Sequence, residues 1–407
     1  MNRLILKRGR DSSIKRFHPW VFSGAVAHTE GDPKEGEVVS VISHEGETLG
    51  YGHYQVGSIV VRLLSFGDDK ITGSFWKERL KKAYLVRLSQ GVLDSENTNC
   101  YRLVHGEGDS LPGLIIDYYD GVAVIQAHSA GMFLSKDKIA EALSYIYGES
   151  LKAVYDKSSG TAPFKAGFEL VDSYIVDNLK LDSVAGLSGG YTVSENGHLF
   201  NVDWERGQKT GFFLDQRESR ALVKRYSKGR RVLNLFSYTG GFSIYSLAGG
   251  ALSVDSVDSS KRAVELMDMN VEINKAESVI SEGSEHRSFC TDVMEFMSAR
   301  KGGEYDMIIV DPPAFAKHRG ALSNALRAYQ RLNASVIEKI APGGFVFTFS
   351  CSQVVDRTLF AEAVFSAAAQ TGRQVRIVGR ITQPADHPVN IYHPEGEYLK
   401  GLILYVE

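Results

Sequence analysis

The chain has 407 residues, of which 43% are hydrophobic, and a formal net charge of −3. This composition is typical of a folded globular protein and excludes an intrinsically disordered one. The length suits two or three domains. The sequence has no apolar run of about 18 residues, and its charged start does not fit a signal peptide, so we expect neither a membrane span nor secretion.

Three cysteines lie far apart in the sequence, at Cys100, Cys290 and Cys351. An odd number at such spacing predicts neither a disulfide framework nor a zinc site, and we expect no metal. A reducing compartment, the cytoplasm, is therefore the expected location.

Residues 1 to 73 contain short runs in which apolar and polar positions alternate, with glycines between the runs. This pattern predicts a small β-barrel. The runs are EVVSVIS (37–43), TLGYGHY (48–54) and SIVVRLLS (58–65). The segment is also rich in basic residues near its start, but such a run is more often a solvated face than a binding site.

Residues 74 to 190 have the pattern of a mixed α+β segment. Apolar residues at helical spacing predict one helix over 74–90 and another over 135–147. Between them, residues 113–129 are expected to form a β-hairpin that turns at Asp120-Gly121. A further strand is expected within 151–159.

From about Gln208 the pattern changes to strands and helices in alternation, which predicts an α/β domain with a parallel, doubly wound, Rossmann-like sheet over 191–407. The expected strands are 232–236, 253–258, 306–311, 344–351 and 398–406. The expected helices are 243–249, 261–274, 323–340 and 359–372. Ligands of such sheets bind at the carboxyl ends of the strands, and the candidate polar residues fall there.

The loop after the first of these strands reads Phe236-Ser237-Tyr238-Thr239-Gly240-Gly241. It lacks the G-x-G-x-x-G spacing that brings a pyrophosphate to a helix N-terminus, so it favours S-adenosylmethionine over NAD. Asp258 ends the second strand, where a carboxylate can accept two hydrogen bonds from a ribose. Asp292 follows a further expected strand, between those at 253–258 and 306–311, and is placed to meet an adenine amino group. Singly, the glycines fit a plain turn and Asp258 a helix cap equally well, but the ordered set favours a cofactor site.

Two further loops follow the next expected strands. Asp311-Pro312-Pro313 is a rigid loop whose carboxylate can hold the polar edge of an unstacked base. Cys351 ends the following strand, where a thiolate adding to carbon 6 of a cytosine would make carbon 5 electron-rich enough to accept a methyl group. A lone cysteine in an apolar strand is usually a small buried hydrophobe, and we interpret Cys100 and Cys290 in that way.

Several motifs together resemble the RlmI-type 23S ribosomal RNA cytosine-C5 methyltransferases, over the whole chain and in the same order. They are QKTGFFLDQR (208–217), LNLFSYTGGFS (233–243), DPPAF (311–315), TFSCS (348–352) and the terminal ADHPV…PEGEYLKG. The resemblance implies a PUA domain that binds RNA over 1–73, a central α+β domain over 74–190 and the methyltransferase domain over 191–407.

The resemblance also implies roles for particular residues. Cys351 would be the nucleophile, and Asp311 would hold the base. The RNA-binding face would include Lys7, Arg10, His18 and Trp20, although composition alone would place Trp20 in the core. The cofactor site would be lined by Phe213, Asp215, Gln216, Arg217, Phe236, Ser237, Tyr238, Thr239, Gly240, Gly241, Asp258, Ser259, Asp292, Val293 and Asp311.

Ala314 marks a departure from many cytosine-C5 RNA methyltransferases, which carry a second cysteine after the prolines, so Cys351 would act alone. The base that removes the C5 proton stays unassigned among Asp386, His387 and Glu395. The expected partner is 23S ribosomal RNA, naked or in a pre-ribosomal particle, and a homodimer is compatible with the sequence. The alternatives are a methyltransferase for another base position, a non-catalytic ribosome-assembly factor and, more distantly, a dehydrogenase.

Overall fold

The computed structural model describes residues 1–93, 96–163, 167–178, 190–316 and 318–407. These residues divide into two compact units. The first unit comprises Met1–Val193, Val202–Leu214 and Ala385–Gly396, and the second comprises Ser194–Asn201, Asp215–Pro384 and Glu397–Glu407. The three-domain division expected from the sequence stays a prediction. Within the described ranges, none of the helices combines the length and the apolar character that a membrane crossing requires.

The first unit begins with a six-stranded sheet in the order β2-β6-β5-β4-β1-β3. Its strands are β1 (Arg3–Leu6), β2 (Trp20–Phe22), β3 (Val26–Glu30), β4 (Val38–Ile42), β5 (Thr48–Tyr54) and β6 (Ile59–Phe66). The three runs expected from the sequence are confirmed as β4, β5 and β6. Their alternating pattern places Val39, Val41, Val61 and Leu63 in one apolar core, because successive side chains of a strand point to opposite faces.

A five-stranded sheet follows in the order β11-β10-β9-β8-β7. Its strands and helices are α1 (Phe75–Ser89), β7 (Cys100–His105), β8 (Leu114–Tyr119), β9 (Val122–Ala127), α2 (Ala130–Leu134), α3 (Lys136–Tyr147), β10 (Ala153–Asp156) and β11 (Ser173–Asp177). The predicted hairpin is confirmed, since β8 and β9 pair antiparallel and close at Tyr119↔Val122. Asp120 (φ 44°) and Gly121 (φ 95°) both have positive φ, as a type I′ turn requires.

The chain then forms a two-stranded sheet of β12 (Tyr191–Glu195) and β13 (His198–Val202). The second unit contains a seven-stranded sheet in the order β16-β15-β14-β17-β18-β20-β19. Its strands are β14 (Arg231–Leu235), β15 (Ser253–Asp258), β16 (Glu285–Cys290), β17 (Met307–Val310), β18 (Gly344–Ser350), β19 (Val375–Thr382) and β20 (Lys400–Val406). Its helices are α4 (Arg217–Tyr226), α5 (Gly241–Ala248), α6 (Lys261–Ala276), α7 (Val293–Ser298), α8 (Leu322–Lys339) and α9 (Arg357–Thr371).

The sheet differs from the predicted parallel one at β20. β16, β15, β14, β17 and β18 are parallel, whereas β20 pairs antiparallel with both β18 and β19. Two consecutive strands can be parallel only if a crossover, usually an α-helix, connects them. The structure describes the whole segment between β19 and β20, and that segment contains no α-helix. The chain therefore re-enters the sheet in the opposite direction.

The parallel register brings five strand ends to one edge of this sheet. Leu235, at the end of β14, pairs with Val257 of β15 and with Val310 of β17, and Val310 pairs with Thr348 of β18. The loops after β14, β15, β16, β17 and β18 consequently emerge at the same edge, as the sequence analysis expected of its candidate residues.

Candidate active site

The loop between β14 and α5 has an unusual backbone. Phe236 (φ 59°) and Tyr238 (φ 47°) both lie in the left-handed region, which is an outlier for bulky aromatic residues. Gly240 also has positive φ (82°), and a Cβ atom there would come within 2.5 Å of Met267 Cγ on α6. Strained backbone persists where the surroundings over-determine it, and it clusters at ligand-binding sites.

Asp258, at the end of β15, holds this loop in place. Its Oδ2 accepts a hydrogen bond from the backbone N–H of Tyr238 at 2.8 Å, and its Oδ1 accepts one from the backbone N–H of Ser260 at 2.8 Å. A carboxylate has about four lone-pair sites, so the same group can still accept from a ribose. The helix-cap interpretation and the cofactor interpretation of Asp258 are therefore compatible.

Two buried oxygens at this edge lack a hydrogen-bond partner among the described residues. They are Ser237 Oγ, in the loop after β14, and Gln216 Oε1, just before α4. Gln216 is fixed by its amide, because Nε2 donates to Asp311 Oδ2 at 3.0 Å. Buried polar atoms are nearly always satisfied, so these two oxygens fit a ligand that brings hydrogen-bond donors, as the amino, ribose and adenine groups of S-adenosylmethionine do.

Asp292 caps α7 through Oδ1, which accepts from the backbone N–H groups of Met294 at 2.7 Å and Glu295 at 3.1 Å. The Asp292 side chain is nevertheless exposed at the sheet edge, whereas Val293 packs in the apolar core of the second unit. Val293 is thus placed to shape the site rather than to offer it a polar group. Ser259, the residue after Asp258, is exposed.

The segment before α4 contributes further polar groups. Asp215 and Arg217 are both buried, and Asp215 Oδ2 accepts a hydrogen bond from the Tyr398 hydroxyl at 2.7 Å. Tyr398 was not predicted from the sequence, although it lies in the C-terminal PEGEYLKG motif. Phe213 belongs to the first unit, where Lys209 Nζ lies 4.5 Å from the centroid of its ring.

Cys351 directly follows β18 and is half-buried. Its Sγ lies 4.0 Å from the carbonyl oxygen of Pro312, so the thiol faces the loop after β17. Ser352 joins the same two loops, because its hydroxyl donates to the carbonyl of Ala316 at 2.7 Å. An open cavity of about 250 Å³ adjoins the thiol and is lined by Ala314, Gln353, Val354 and Tyr398 among others.

Two titratable side chains, those of Tyr329 and Lys400, interact electrostatically with Cys351. Burial raises the pKa of Tyr329 on α8 to about 12, and a charge on Cys351 raises it further. Burial lowers the pKa of Lys400, at the start of β20, to about 8, and a charge on Cys351 opposes that shift. Lys400 was not predicted from the sequence, although it lies in the C-terminal PEGEYLKG motif.

The three candidates for the C5 base all lie in the first unit. Asp386 and His387 are almost fully buried, and Asp386 Oδ2 accepts from the backbone N–H of Arg102 at 3.0 Å while its Oδ1 lies 3.0 Å from His387 Nδ1. These contacts indicate a structural role for both. Glu395 is exposed.

The interpretation of the other two cysteines was half right. Cys100 is fully buried, as expected, but Cys290 is exposed. It is the last residue of β16, an edge strand of the sheet, and edge strands have one side open to solvent.

Of the residues predicted for RNA binding, Trp20 begins β2, whereas Lys7, Arg10 and His18 lie in the segment between β1 and β2 of the first unit. Lys7 and Arg10 are exposed, and Lys7 Nζ donates to the carbonyl of Gly24 at 2.9 Å. Trp20 is half-buried rather than in the core, with its indole N–H donated to Glu107 Oε1 at 2.8 Å. His18 is also half-buried.

Comparison with protein families gives two matches that together span most of the chain. A family model described as S-adenosylmethionine-dependent methyltransferase matches residues 172–402. A model described as PUA-like domain matches residues 4–66. The predicted fold class, an α/β methyltransferase domain that follows an N-terminal PUA-like domain, is confirmed.

Individual proteins are similar over their full length. Ribosomal RNA large subunit methyltransferase I of Enterobacter sp. (strain 638) is 38% identical over 403 residues, 98% of this chain and 98% of that protein. The protein of the same name from Escherichia coli O139:H28 (strain E24377A / ETEC) is 37% identical, again with 98% of each covered. A methyltransferase crystallised in complex with SAH has a TM-score of 0.82 at 22% identity, with all of both chains covered. A structure described as a SAM-dependent methyltransferase from Streptococcus mutans has a TM-score of 0.80 at 22% identity, which likewise shows the fold.

Proposed function

Because the chain belongs to the ribosomal RNA large subunit methyltransferase I family, we propose that it methylates carbon 5 of a cytosine in 23S ribosomal RNA through a covalent adduct of Cys351. The observation that carries this proposal is the position of the Cys351 thiol. It lies at the carboxyl end of β18, beside the Asp311-Pro312-Pro313 loop and next to an open cavity. The resemblance to this family that the sequence motifs predicted is confirmed.

The cofactor is S-adenosylmethionine, as the methyltransferase family model indicates. When bound, it supplies the electrophilic methyl group that carbon 5 takes up. The residues placed to hold it are the strained loop over 236–241, Asp258 and Asp292 at neighbouring strand ends, and Gln216. Ser237 Oγ and Gln216 Oε1 would gain the donors that they lack.

The protein's own residues provide the nucleophile and position the base. The Cys351 thiolate adds to carbon 6, and the electrons of the C5–C6 double bond move onto carbon 5 and into the ring. Asp311 is held toward the same loops by Gln216 and is placed to accept a hydrogen bond from the base. Transfer of the methyl group to carbon 5 would leave S-adenosylhomocysteine. A base then removes the proton from carbon 5, the C5–C6 double bond re-forms and the Cys351 thiolate leaves.

RNA recognition would fall mainly to the first unit. Lys7 and Arg10 are exposed and can contact phosphates, which position an RNA without reading its sequence. His18 and Trp20 lie in the same unit with partly exposed rings. The matching PUA-like domain model covers all four of these residues.

An exposed aromatic pair extends this surface. The rings of Phe17 and Tyr392 are 48% and 50% exposed, and their centroids lie 5.2 Å apart. Phe17 also has a left-handed backbone (φ 64°), which turns an apolar ring outward at a cost in strain. Exposed aromatic rings of this kind stack on unpaired bases.

The decisive experiment transfers a labelled methyl group from S-adenosylmethionine to unmodified 23S ribosomal RNA and digests the product to nucleosides. We expect the label in 5-methylcytidine, and we expect Cys351→Ala to reduce its formation by about a thousandfold or more, because the nucleophile is lost. Cys290→Ala, which removes an exposed cysteine, is the matched control and should retain activity. Label in another nucleoside would favour the alternative of a different base position, and full activity of Cys351→Ala would refute the nucleophile.

The proposal also includes a cellular setting. The thiol chemistry of Cys351 requires a reducing compartment, for which the cytoplasm is the natural choice. Supplying the RNA naked or as pre-ribosomal particles in the same assay distinguishes the two substrate forms. Light scattering of the purified protein tests the homodimer that the sequence allows.

A further inference from the structure

Lys400 is a buried lysine that the proposed chemistry does not use. Only 6% of its surface is exposed, and it occupies the first position of β20. Among the described residues, no carboxylate lies within ion-pair distance of its ammonium group. Lysine is almost never fully buried unless a carboxylate pairs with it, because burial of an unpaired charge costs free energy. The burial of Lys400 therefore calls for an explanation.

Both hydrogen bonds that Lys400 Nζ makes to described residues are with the turn that follows Cys351. The antiparallel register of β18 and β20 pairs Lys400 with Ser350, the residue before the thiol. Lys400 Nζ donates to the carbonyl of Ser352 at 2.5 Å and to the carbonyl of Val355. The ammonium group therefore binds two backbone carbonyls of this turn and restrains the backbone that carries the Cys351 side chain.

Lys400 and Cys351 also influence each other electrostatically. Burial is the main cause that lowers the pKa of Lys400, to about 8, and the charge of Cys351 opposes it. Asp356 and Glu397 also face Lys400 and raise its pKa, whereas Arg357 lowers it. Because the interaction between two charges is mutual, a thiolate that stabilises the charged form of Lys400 is itself stabilised by the ammonium group.

From this geometry we infer that Lys400 is a positioning residue for the methyl-transfer reaction, which holds the Cys351 turn and stabilises its thiolate. The inference rests on the proposed function, because it assumes that the thiolate of Cys351 is the reacting species. The thiol proton passes to solvent, and Lys400 remains an ammonium group that neither gives nor takes a proton in the addition to carbon 6. Tyr329, on α8, also interacts electrostatically with Cys351, and its raised pKa keeps it neutral.

The test measures the thiol directly in the full-length protein. Alkylation of Cys351 by iodoacetamide is followed between pH 5 and pH 10 by peptide mass spectrometry, which separates it from Cys100 and Cys290. Lys400→Gln keeps two N–H donors for the two carbonyls but removes the charge. We expect about tenfold slower alkylation of this variant at pH 7, because the reactive species is the thiolate and one unit in its midpoint is tenfold in its population.

Two variants separate charge from structure. Lys400→Arg retains the charge, so its rate at pH 7 should stay within about twofold of the wild-type rate. Lys339→Gln is the matched control, because Lys339 Nζ also donates to two backbone carbonyls, those of Met297 and Arg300. These carbonyls lie near the end of α7 and not in the turn after Cys351. Its alkylation profile should be that of the wild type. If Lys400→Gln does not fold, Lys400→Met, which has a side chain of similar length, takes its place.

The methyl-transfer assay adds a second readout that a purely structural role would not move. The activity of Lys400→Gln should be about tenfold low at pH 7 and should recover as the pH rises, because more of the thiol then ionises without help. An alkylation profile of Lys400→Gln identical to that of the wild type would overturn the inference. That result would leave the dependence of 5-methylcytidine formation on Cys351 as a separate question, so the two failures are distinguishable.

Discussion

In the five-stranded sheet of the first unit, the buried ion pair of Arg102 and Asp117 is hydrogen-bonded at both carboxylate oxygens, whereas at the carboxyl edge of the seven-stranded sheet in the second unit two buried oxygens lack a partner among the described residues. Arg102 donates from Nε and Nη2 to the two carboxylate oxygens of Asp117, both at 2.8 Å, and the Thr210 hydroxyl donates to the same carboxylate at 2.6 Å. In the second unit, the described partners leave Ser237 Oγ and Gln216 Oε1 without a hydrogen bond.

This difference in hydrogen bonding distinguishes polar groups that stabilise the fold from polar groups that are available to a ligand. A buried ion pair that is fully hydrogen-bonded offsets its own desolvation and requires nothing more. A buried oxygen without a donor carries a desolvation cost that a bound molecule can relieve. Burial and polarity alone do not mark a site, because both regions have them. The lack of a partner among the described residues does not mark one by itself either, since Asp156 Oδ1 in the five-stranded sheet and Ser246 Oγ on α5 also lack one. Ser237 stands out because it also lies in the loop after β14, where Phe236 and Tyr238 have positive φ.

The largest effect is expected from breaking the satisfied pair. Arg102→Met leaves the Asp117 carboxylate, which is fully buried, without its cation. We expect this to lower the free energy of unfolding by about 3–5 kcal/mol. Urea denaturation of the full chain, followed by circular dichroism, measures the loss.

The control for this prediction is an exposed ion pair in the second unit. Arg231 and Asp306 pair with 45% and 29% of their side chains exposed. Arg231→Met should therefore cost no more than about 1 kcal/mol, because solvent screens the interaction. Equal losses for the two variants would mean that the buried pair is not the stabilising contact we take it to be.

Elements that local sequence determines were predictable, and elements that depend on neighbours were not. Asp120-Gly121 predicted its hairpin because the turn needs two residues that tolerate positive φ. β19 (Val375–Thr382) was missed because it is a largely exposed edge strand, so it lacks the alternating apolar pattern by which strands are recognised.

The same limit applies to the candidate site. Asp311 and Cys351 could be placed because each ends an apolar run that indicates a buried strand, and Asp258 because it ends the strand expected before the helix at 261–274. Tyr398 and Lys400 could not be placed, because their contacts depend on β20 lying antiparallel beside β18. The sequence pattern predicted only parallel strands, and a parallel β20 would have put Lys400 at the opposite edge of the sheet.

A second variant adds a methyl group to the loop after β14 and leaves the polar atoms of the candidate cofactor site unchanged. Gly240→Ala adds a methyl group that would come within 2.5 Å of Met267 Cγ, on a backbone with φ of 82°. The loop must shift, and we expect the affinity for S-adenosylmethionine to fall by about tenfold or more, equivalent to about 1.4 kcal/mol. Isothermal titration calorimetry measures the change.

Gly229 provides the matched control for crowding. Its φ is also positive (70°), but no atom lies within 4 Å of the position of an added Cβ. Gly229→Ala should therefore carry the backbone strain alone, with a modest loss of stability and unchanged cofactor affinity. Weakened binding in both variants would show that general destabilisation, and not the loop after β14, is responsible.

The smallest effect, and the sharpest test of the comparison, comes from Ser237→Ala. The hydroxyl of Ser237 is buried without a partner, so its removal should leave the free energy of unfolding unchanged or slightly higher while lowering affinity for S-adenosylmethionine by about fivefold, which is about 1 kcal/mol. Ser246 on α5 also has a buried hydroxyl without a described partner, but it lies in the helix interior rather than in the loop. Ser246→Ala should reproduce the effect on stability and not the effect on binding. If calorimetry found the same affinity for Ser237→Ala and wild type, the lack of a partner would not identify a ligand atom, and the contrast between the two regions would lose its functional meaning.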